Sequence, residues 1–205
     1  MSTALKDSET LQNLMRAFAG ESQARNRYTF AADLCRKQKL YVLEAVFTYT
    51  AGQELAHAEI FWNHMKPVGA EKVEITAGYP AQLTQKAAEL LRFAQRDELT
   101  EYSDVYPAFA DTAQQEGFSE IANSFRRIAE IEQTHALRFH ALAELLEAGK
   151  LFVSDAECEW ICLNCGHIHN GKEAPQKCPV CQHEQGYFIR LELAPYATPG
   201  MHSDW

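Results

Sequence analysis

The pattern Glu-x-x-His occurs twice, as Glu54-Leu-Ala-His57 and Glu132-Gln-Thr-His135, each within a long stretch of helical periodicity. A three-residue spacing puts both side chains of a motif on one helix face. Glu21 lies 33 residues before Glu54, and Glu98 lies 34 before Glu132. Tyr28 precedes Glu54 by 26 residues and Tyr106 precedes Glu132 by the same 26. The flanks rhyme as well, Tyr28-Thr-Phe-Ala against Tyr106-Pro-Ala-Phe-Ala. One Glu-x-x-His alone is usually a solvated helix face; a duplicated set is not. With Glu101, five glutamates would face one core, which is prohibitive unless metal neutralises them. Hard ferrous or ferric ions favour carboxylate oxygen with imidazole completing the set. Glu21, Glu54, His57, Glu98, Glu101, Glu132 and His135 are therefore expected to enclose two metals about 3–4 Å apart.

The same periodicity predicts a mainly α fold over residues 1–149. Leu11, Leu14, Met15, Phe18, Ala24, Tyr28, Ala31 and Ala32 recur at helical spacing between Thr10 and Lys37. A second helix is expected at about 41–65, ended by Pro67 and Gly69. Residues 67–80 read as a connection that is long for a hairpin. A short helix is expected near 83–93, followed by a third long one over about 94–115. Gly117 stops that helix, Ser119 is expected to cap the fourth, and Gly149 ends it. Four long helices with one extended crossover between the second and third is the connectivity of a ferritin-like four-helix bundle. The 33-against-34 mismatch places one extra residue between Glu98 and Tyr106, and a π-type turn there would absorb it.

After Gly149 the helical period disappears. Residues 150–157 read as a linker and 158–205 as a small β/loop domain carrying Cys162-Leu-Asn-Cys165 and Cys178-Pro-Val-Cys181. A piece this small needs a staple, and four thiolates around one tetrahedral metal would supply it. Zinc and iron both suit such a site. Cys158 lies outside the pairs and reads as a spare thiol; Cys35, His64 and His140 have no ligand partner at useful spacing.

Charge narrows the alternatives. The net charge is −9, so a nucleic-acid or anionic-membrane binder is not expected. A nucleic-acid-binding zinc ribbon is disfavoured, because Lys150, Lys172, Lys177 and Arg190 face seven acids after Gly149. No apolar run of about 18 residues exists, and the polar start from Met1 to Asp7 has no signal-peptide core, so a cytoplasmic location is expected.

Residues 20–28 (Gly-Glu-Ser-Gln-Ala-Arg-Asn-Arg-Tyr), Glu54-x-x-His57, Glu98-x-x-Glu101-Tyr102, Tyr106-Pro-x-Phe, Glu116-Gly-Phe, Glu132-x-x-His135 and the two cysteine knuckles occur in this order. The chain in this respect resembles the rubrerythrin family over nearly its whole length. The resemblance implies a rubredoxin-like C-terminal domain and three iron ions per chain, with zinc as a possible substitute. It implies a non-haem peroxidase that reduces hydrogen peroxide to water in oxidative stress defence. Electrons would come from a rubredoxin or an NAD(P)H-dependent reductase through the four-cysteine iron. The family pattern also suggests a head-to-tail homodimer or higher homo-oligomer. A ferroxidase or iron-handling role is the alternative for such a bundle, although it leaves the fused relay domain superfluous.

Two finer expectations follow. Tyr28 and Tyr102 lie near Glu21, Glu98 and Glu101 in the sequence pattern and are candidates for contacts behind the ligands. Glu101, which has no repeat partner, is expected to be the redox-responsive ligand. Two ferrous ions with five carboxylates sum to −1, and exchanging Glu101 for neutral His57 brings the reduced site to zero.

Overall fold

The computed structural model describes residues 4–69 and 71–195. Helices α1 (Glu9–Lys37) and α2 (Tyr41–Met65) form the first hairpin. The second hairpin pairs α3 (Ala87–Thr100), a π-helical segment (Glu101–Val105) and α4 (Tyr106–Gln115), running as one helix, with α5 (Ser119–Glu147). The Tyr106 N–H donates to the Glu101 carbonyl five residues back, so the extra residue is accommodated where the spacing mismatch placed it. The crossover lies along the bundle surface: Tyr79 Oη donates to the Arg16 carbonyl (2.8 Å), and the Gln38 amide donates to the Gln85 carbonyl (2.8 Å).

Three expected boundaries move. No separate helix forms at 83–93; Leu83 is 98% exposed and α3 starts at Ala87. Thr84 Oγ1 accepts the Lys86 N–H (3.2 Å) and donates to Glu89 (2.5 Å), which holds the chain in a turn there. Ser119 is the first residue of α5 rather than its cap, and its hydroxyl meets the Gln114 side chain instead. The segment read as a linker is mostly strand, because β1 begins at Val153.

The two hairpins are halves of one repeated design. The rings of Tyr28, Phe47 and Phe139 pack together at 5.8, 5.3 and 5.2 Å (Tyr28–Phe47, Tyr28–Phe139, Phe47–Phe139). A shift of 78 residues, as from Tyr28 to Tyr106, gives Tyr106, Phe125 and Phe61, whose corresponding separations are 5.9, 5.6 and 5.0 Å. The hairpin turns repeat as well: Leu40 and Phe118 both adopt φ −96°, ψ 62°. The residue before each is left-handed, Lys39 at φ 60° and Gly117 at φ 90°. Two apolar clusters result, one around Leu43, Phe47, Leu91 and Phe139, the other around Leu14, Phe61, Tyr106 and Phe125.

The small domain is a three-stranded antiparallel sheet ordered β2-β1-β3, with β1 Val153–Cys162, β2 Ile168–Glu173 and β3 Phe188–Arg190. Its core is Trp160, Cys162, Ala174, Cys178 and Phe188. It docks on the α1–α2 turn. Tyr187 stacks on Tyr41 with centroids 4.2 Å apart, and Lys39 Nζ pairs with Glu184 at 2.8 Å. Gly186 comes so close to the Lys39 carbonyl that a Cβ there would lie 1.9 Å from the oxygen. Ile189 joins the bundle's first apolar cluster, with Leu163 and Ala194 packed against it.

Candidate metal centres

Between the two apolar clusters lies a layer of acid. Glu21, Glu54, Glu98, Glu132, His57 and His135 are all at most 5% exposed. Potential ligand atoms of Glu21, Glu54, His57 and Glu132 lie within 4.8 Å of one another, and so do those of Glu54, Glu98, Glu132 and His135. Glu54 and Glu132 belong to both groups, with one further glutamate and one histidine on each side. His57 Nδ1 is 2.9 Å from Glu132 and 3.1 Å from Glu54; His135 Nδ1 is 2.8 Å from Glu132 and 3.1 Å from Glu54.

Electrostatics expose how poorly protons alone satisfy this layer. Burial, then the neighbouring carboxylates, push Glu21, Glu98 and Glu101 well above the usual carboxylate range. Burial opposes charge on the histidines, yet hydrogen bonding to Glu132 and Glu54 raises His57 to about 9 and His135 to about 12. Burial likewise opposes charge on Glu132, and His135 and His57 overcome it, holding that carboxyl at about 2. Glu21 Oε2 and Glu98 Oε2 are buried without a hydrogen-bond partner, and the buried oxygens of Glu54 and Glu132 have only the two histidine rings to share. Buried polar atoms are almost always satisfied. Carboxylates converging from four helices with more lone pairs than two imidazoles can serve fit a pair of divalent ions, which would take those lone pairs.

The tyrosines cross between the halves. Tyr28 on α1 donates its hydroxyl to Glu98 on α3, and Tyr106 on α4 donates to Glu21 on α1. Tyr28 and Tyr106 make these contacts, and Tyr102 does not. Tyr102 packs against the Phe61–Phe125 cluster, and among the described residues it makes no hydrogen bond to a site carboxylate. The repeat had paired Tyr28 with Tyr106, so the signal was present. Glu101 belongs to neither four-residue group and is half-buried on the π-helical segment. Gln53 was not singled out by spacing, yet its Oε1 meets His135 Nε2 at 3.1 Å. His64 turns away to Ser124 (2.9 Å).

In the small domain the four sulfurs of Cys162, Cys165, Cys178 and Cys181 lie within 4.8 Å of one another. Cys162–Cys181 and Cys165–Cys178 are separated by 3.7 and 3.6 Å, far beyond the roughly 2.05 Å of a disulfide. Metal–sulfur bonds of about 2.3 Å in a tetrahedron give edges of roughly 3.8 Å, so the spacing suits one metal. Each half is a knuckle closed by backbone bonds: Cys162 N–H to His167 (2.9 Å), and Cys178 N–H to His183 (2.8 Å). Gly166 (φ 78°) and Gln182 (φ 62°) occupy equivalent left-handed positions. Cys158 stands apart on β1, its sulfur 3.9 Å from the Gly171 carbonyl.

The rubrerythrin family model matches residues 12–143, and the model of the rubrerythrin rubredoxin-like domain matches residues 160–189. The chain belongs to the rubrerythrin family. It is 45% identical to a rubrerythrin of Porphyromonas gingivalis over 188 residues, covering 92% of each chain. A rubrerythrin of Clostridium perfringens is also 45% identical, over 90% of this chain and 95% of that one. Among solved structures, nigerythrin in its fully reduced, all-ferrous state covers 93% of this chain and 88% of its own at 31% identity, with a TM-score of 0.61. A bacterioferritin from Desulfovibrio desulfuricans shares the fold, with a TM-score of 0.63 over 69% of this chain and 82% of that one at 22% identity. As a rubrerythrin-family protein the chain carries a di-iron carboxylate–histidine site and a four-cysteine rubredoxin-like site, and iron suits both. Among the described residues no helix is long and apolar enough to cross a membrane.

Proposed function

We propose that this chain reduces hydrogen peroxide to water, one peroxide consuming two electrons and two protons to give two waters. The observation that carries this reading is the union of a two-metal site and a one-metal thiolate site in one chain. When bound, the iron pair supplies the two electrons that cleave an O–O bond, and the four-cysteine iron passes electrons singly. Iron storage or ferroxidation needs no such relay, which ranks it second.

The chain's own residues supply position and protons. Glu54 and Glu132, which belong to both ligand groups, would be shared by the two metals, and Glu21 with His57 and Glu98 with His135 would complete the two sets. The Tyr28 and Tyr106 hydroxyls restrain the terminal carboxylates of the opposite hairpin. The exchange of Glu101 for His57 on reduction is part of this reading: His57 lies within one ligand group and Glu101 lies outside both. Glu101, carboxyl pK raised by burial and by Glu132 and Glu54, is suited to holding a proton beside the reacting centre. The donor chain starts from NAD(P)H, directly through a reductase or through a rubredoxin.

Electrons are proposed to cross between the chains of a dimer. Tyr187 rests on Tyr41 at the start of α2, and Glu54 lies thirteen residues on, about 20 Å along the helix. The small domain therefore sits at the far end of its own bundle, which favours service to a neighbour. The test is NADH-coupled peroxide consumption by iron-loaded protein. Cys162→Ser should abolish coupled turnover while chemically reduced protein still consumes one peroxide per bundle. Mixed dimers of a Cys162→Ser/Cys165→Ser chain and a Glu54→Ala/Glu132→Ala chain should regain activity. Iron-loaded protein that oxidises ferrous ion with oxygen but leaves peroxide untouched would defeat the peroxidase reading.

A further inference from the structure

The repeat that relates the two hairpins breaks behind the histidines. Gln53 Oε1 lies 3.1 Å from His135 Nε2 and 3.3 Å from Arg138 Nη1. Arg138 Nη1 also donates to Thr50 Oγ1 (3.2 Å), and its guanidinium lies over the Tyr49 ring, 5.3 Å from the centroid. A guanidinium only donates, so the Gln53 atom it meets is the carbonyl oxygen. That oxygen accepts, and His135 must therefore present N–H at Nε2. Once metal displaces the second ring proton, Nδ1 is the lone-pair nitrogen, and it faces Glu54, Glu98 and Glu132 at 3.1, 3.8 and 2.8 Å.

The same offset of 78 carries Gln53 to Ile131 and Arg138 back to Ile60. Both isoleucines are exposed, 38% and 39%, and neither side chain can hydrogen-bond. Among the described residues none hydrogen-bonds to His57 Nε2, whose ring is bonded only on its Nδ1 side. Two histidines that the repeat makes equivalent toward the carboxylates are thus unequal behind them.

We propose that Gln53, braced by Arg138, is a positioning residue that locks His135 in the Nε2–H form with Nδ1 toward the metal pair, and that Ile131 and Ile60 leave His57 unlocked. The lock decides which of the two histidines is a permanent ligand and which one can exchange. It rests on the reading of the bundle as a two-metal site. A ring held from behind loses little freedom when metal binds, and removing such a partner typically costs 10–100-fold in metal affinity.

The test uses the full chain loaded with zinc, which has no redox change to confound coordination. In the unsubstituted protein the His135 Nε2–H should appear as a downfield proton resonance in slow exchange with solvent, and that of His57 should exchange faster. Gln53→Leu should abolish the slow exchange and weaken zinc binding at the bundle about 10–100-fold. Gln53→Glu retains an acceptor oxygen beside Arg138 and should restore both, which a purely space-filling role would not require. If Gln53→Leu does not fold, Arg138→Met should accelerate the same exchange with helical content unchanged. Bundle zinc affinity and His135 exchange equal to the unsubstituted protein in every variant would overturn the lock alone. Uptake of zinc only at the four cysteines by the unsubstituted protein would instead overturn the two-metal reading.

Discussion

The bundle and the small domain hold metal ligands in opposite ways. The bundle keeps its carboxylates between two aromatic clusters that are complete without them. In the small domain Cys162 and Cys178 are two of the five core residues among those described. Metal in the bundle therefore relieves a layer that an otherwise well-packed fold tolerates at a cost, whereas metal in the small domain is part of the packing. Function and stability are separated in the first and fused in the second.

The largest expected effect breaks this contrast from the small-domain side. Binding of a structural metal to thiolates contributes about 10–16 kcal/mol, more than a domain this small can replace. Cys162→Ser, or strong chelation, should unfold residues 153–190 and leave the helices intact. Loss of amide dispersion for the small domain with unchanged helical circular dichroism is the expected reading; a chelated small domain that stays folded would end the contrast.

The second effect probes the bundle through pH. Glu21, Glu98 and Glu101 have raised pKa values in the fold, chiefly through burial, and His57 is raised to about 9 against the opposing burial. Each such group binds more protons folded than unfolded, so its contribution is present at low pH and is lost as pH rises through the folded value. For His57 the full shift from about 6.5 to about 9 corresponds to roughly 3 kcal/mol. Glu132, held at about 2, acts in the opposite sense only below its ordinary range. The metal-free bundle should melt at higher temperature near pH 5.5 than near pH 8.5. With metals bound the order should reverse, because metals compete with protons for the same ligands.

A smaller effect concerns how the two regions are joined. Gly186→Ala drives a Cβ into the Lys39 carbonyl, an overpacking that should cost about 1–3 kcal/mol of docking. Both domains should remain folded while the Tyr41–Tyr187 stack is lost, which chemical shifts at both rings would report. The smallest lies wholly within the bundle. Glu116 accepts the Glu9 and Thr10 N–H groups at 3.0 and 2.8 Å, capping α1 from the α4–α5 turn. Glu116→Gln keeps one acceptor and should cost about 1 kcal/mol in thermal unfolding, without altering metal content.

Local spacing determined a good deal about this protein. Glu54-x-x-His57, its copy at 132–135 and the two Cys-x-x-Cys pairs are short-range patterns, and helix or knuckle geometry converts them directly into neighbouring ligands. The mismatched intervals even located the π-helical segment at Glu101–Val105, since one extra residue in a helix has few places to go. What required the folded chain were contacts between distant elements. Tyr106 rather than Tyr102 reaches Glu21 because α4 begins just past the π segment, which rotates the following residues relative to α1. Gln53 and Arg138 meet on different helices around His135, and neither residue is marked by its neighbours in the sequence. Residues 150–157 read as a linker in the sequence alone, yet Val153 pairs with Glu173 once β2 lies beside it. Residue spacing dictates which side chains share a face; only packing of one face on another decides which nitrogen, hydroxyl or carbonyl each of them finally meets.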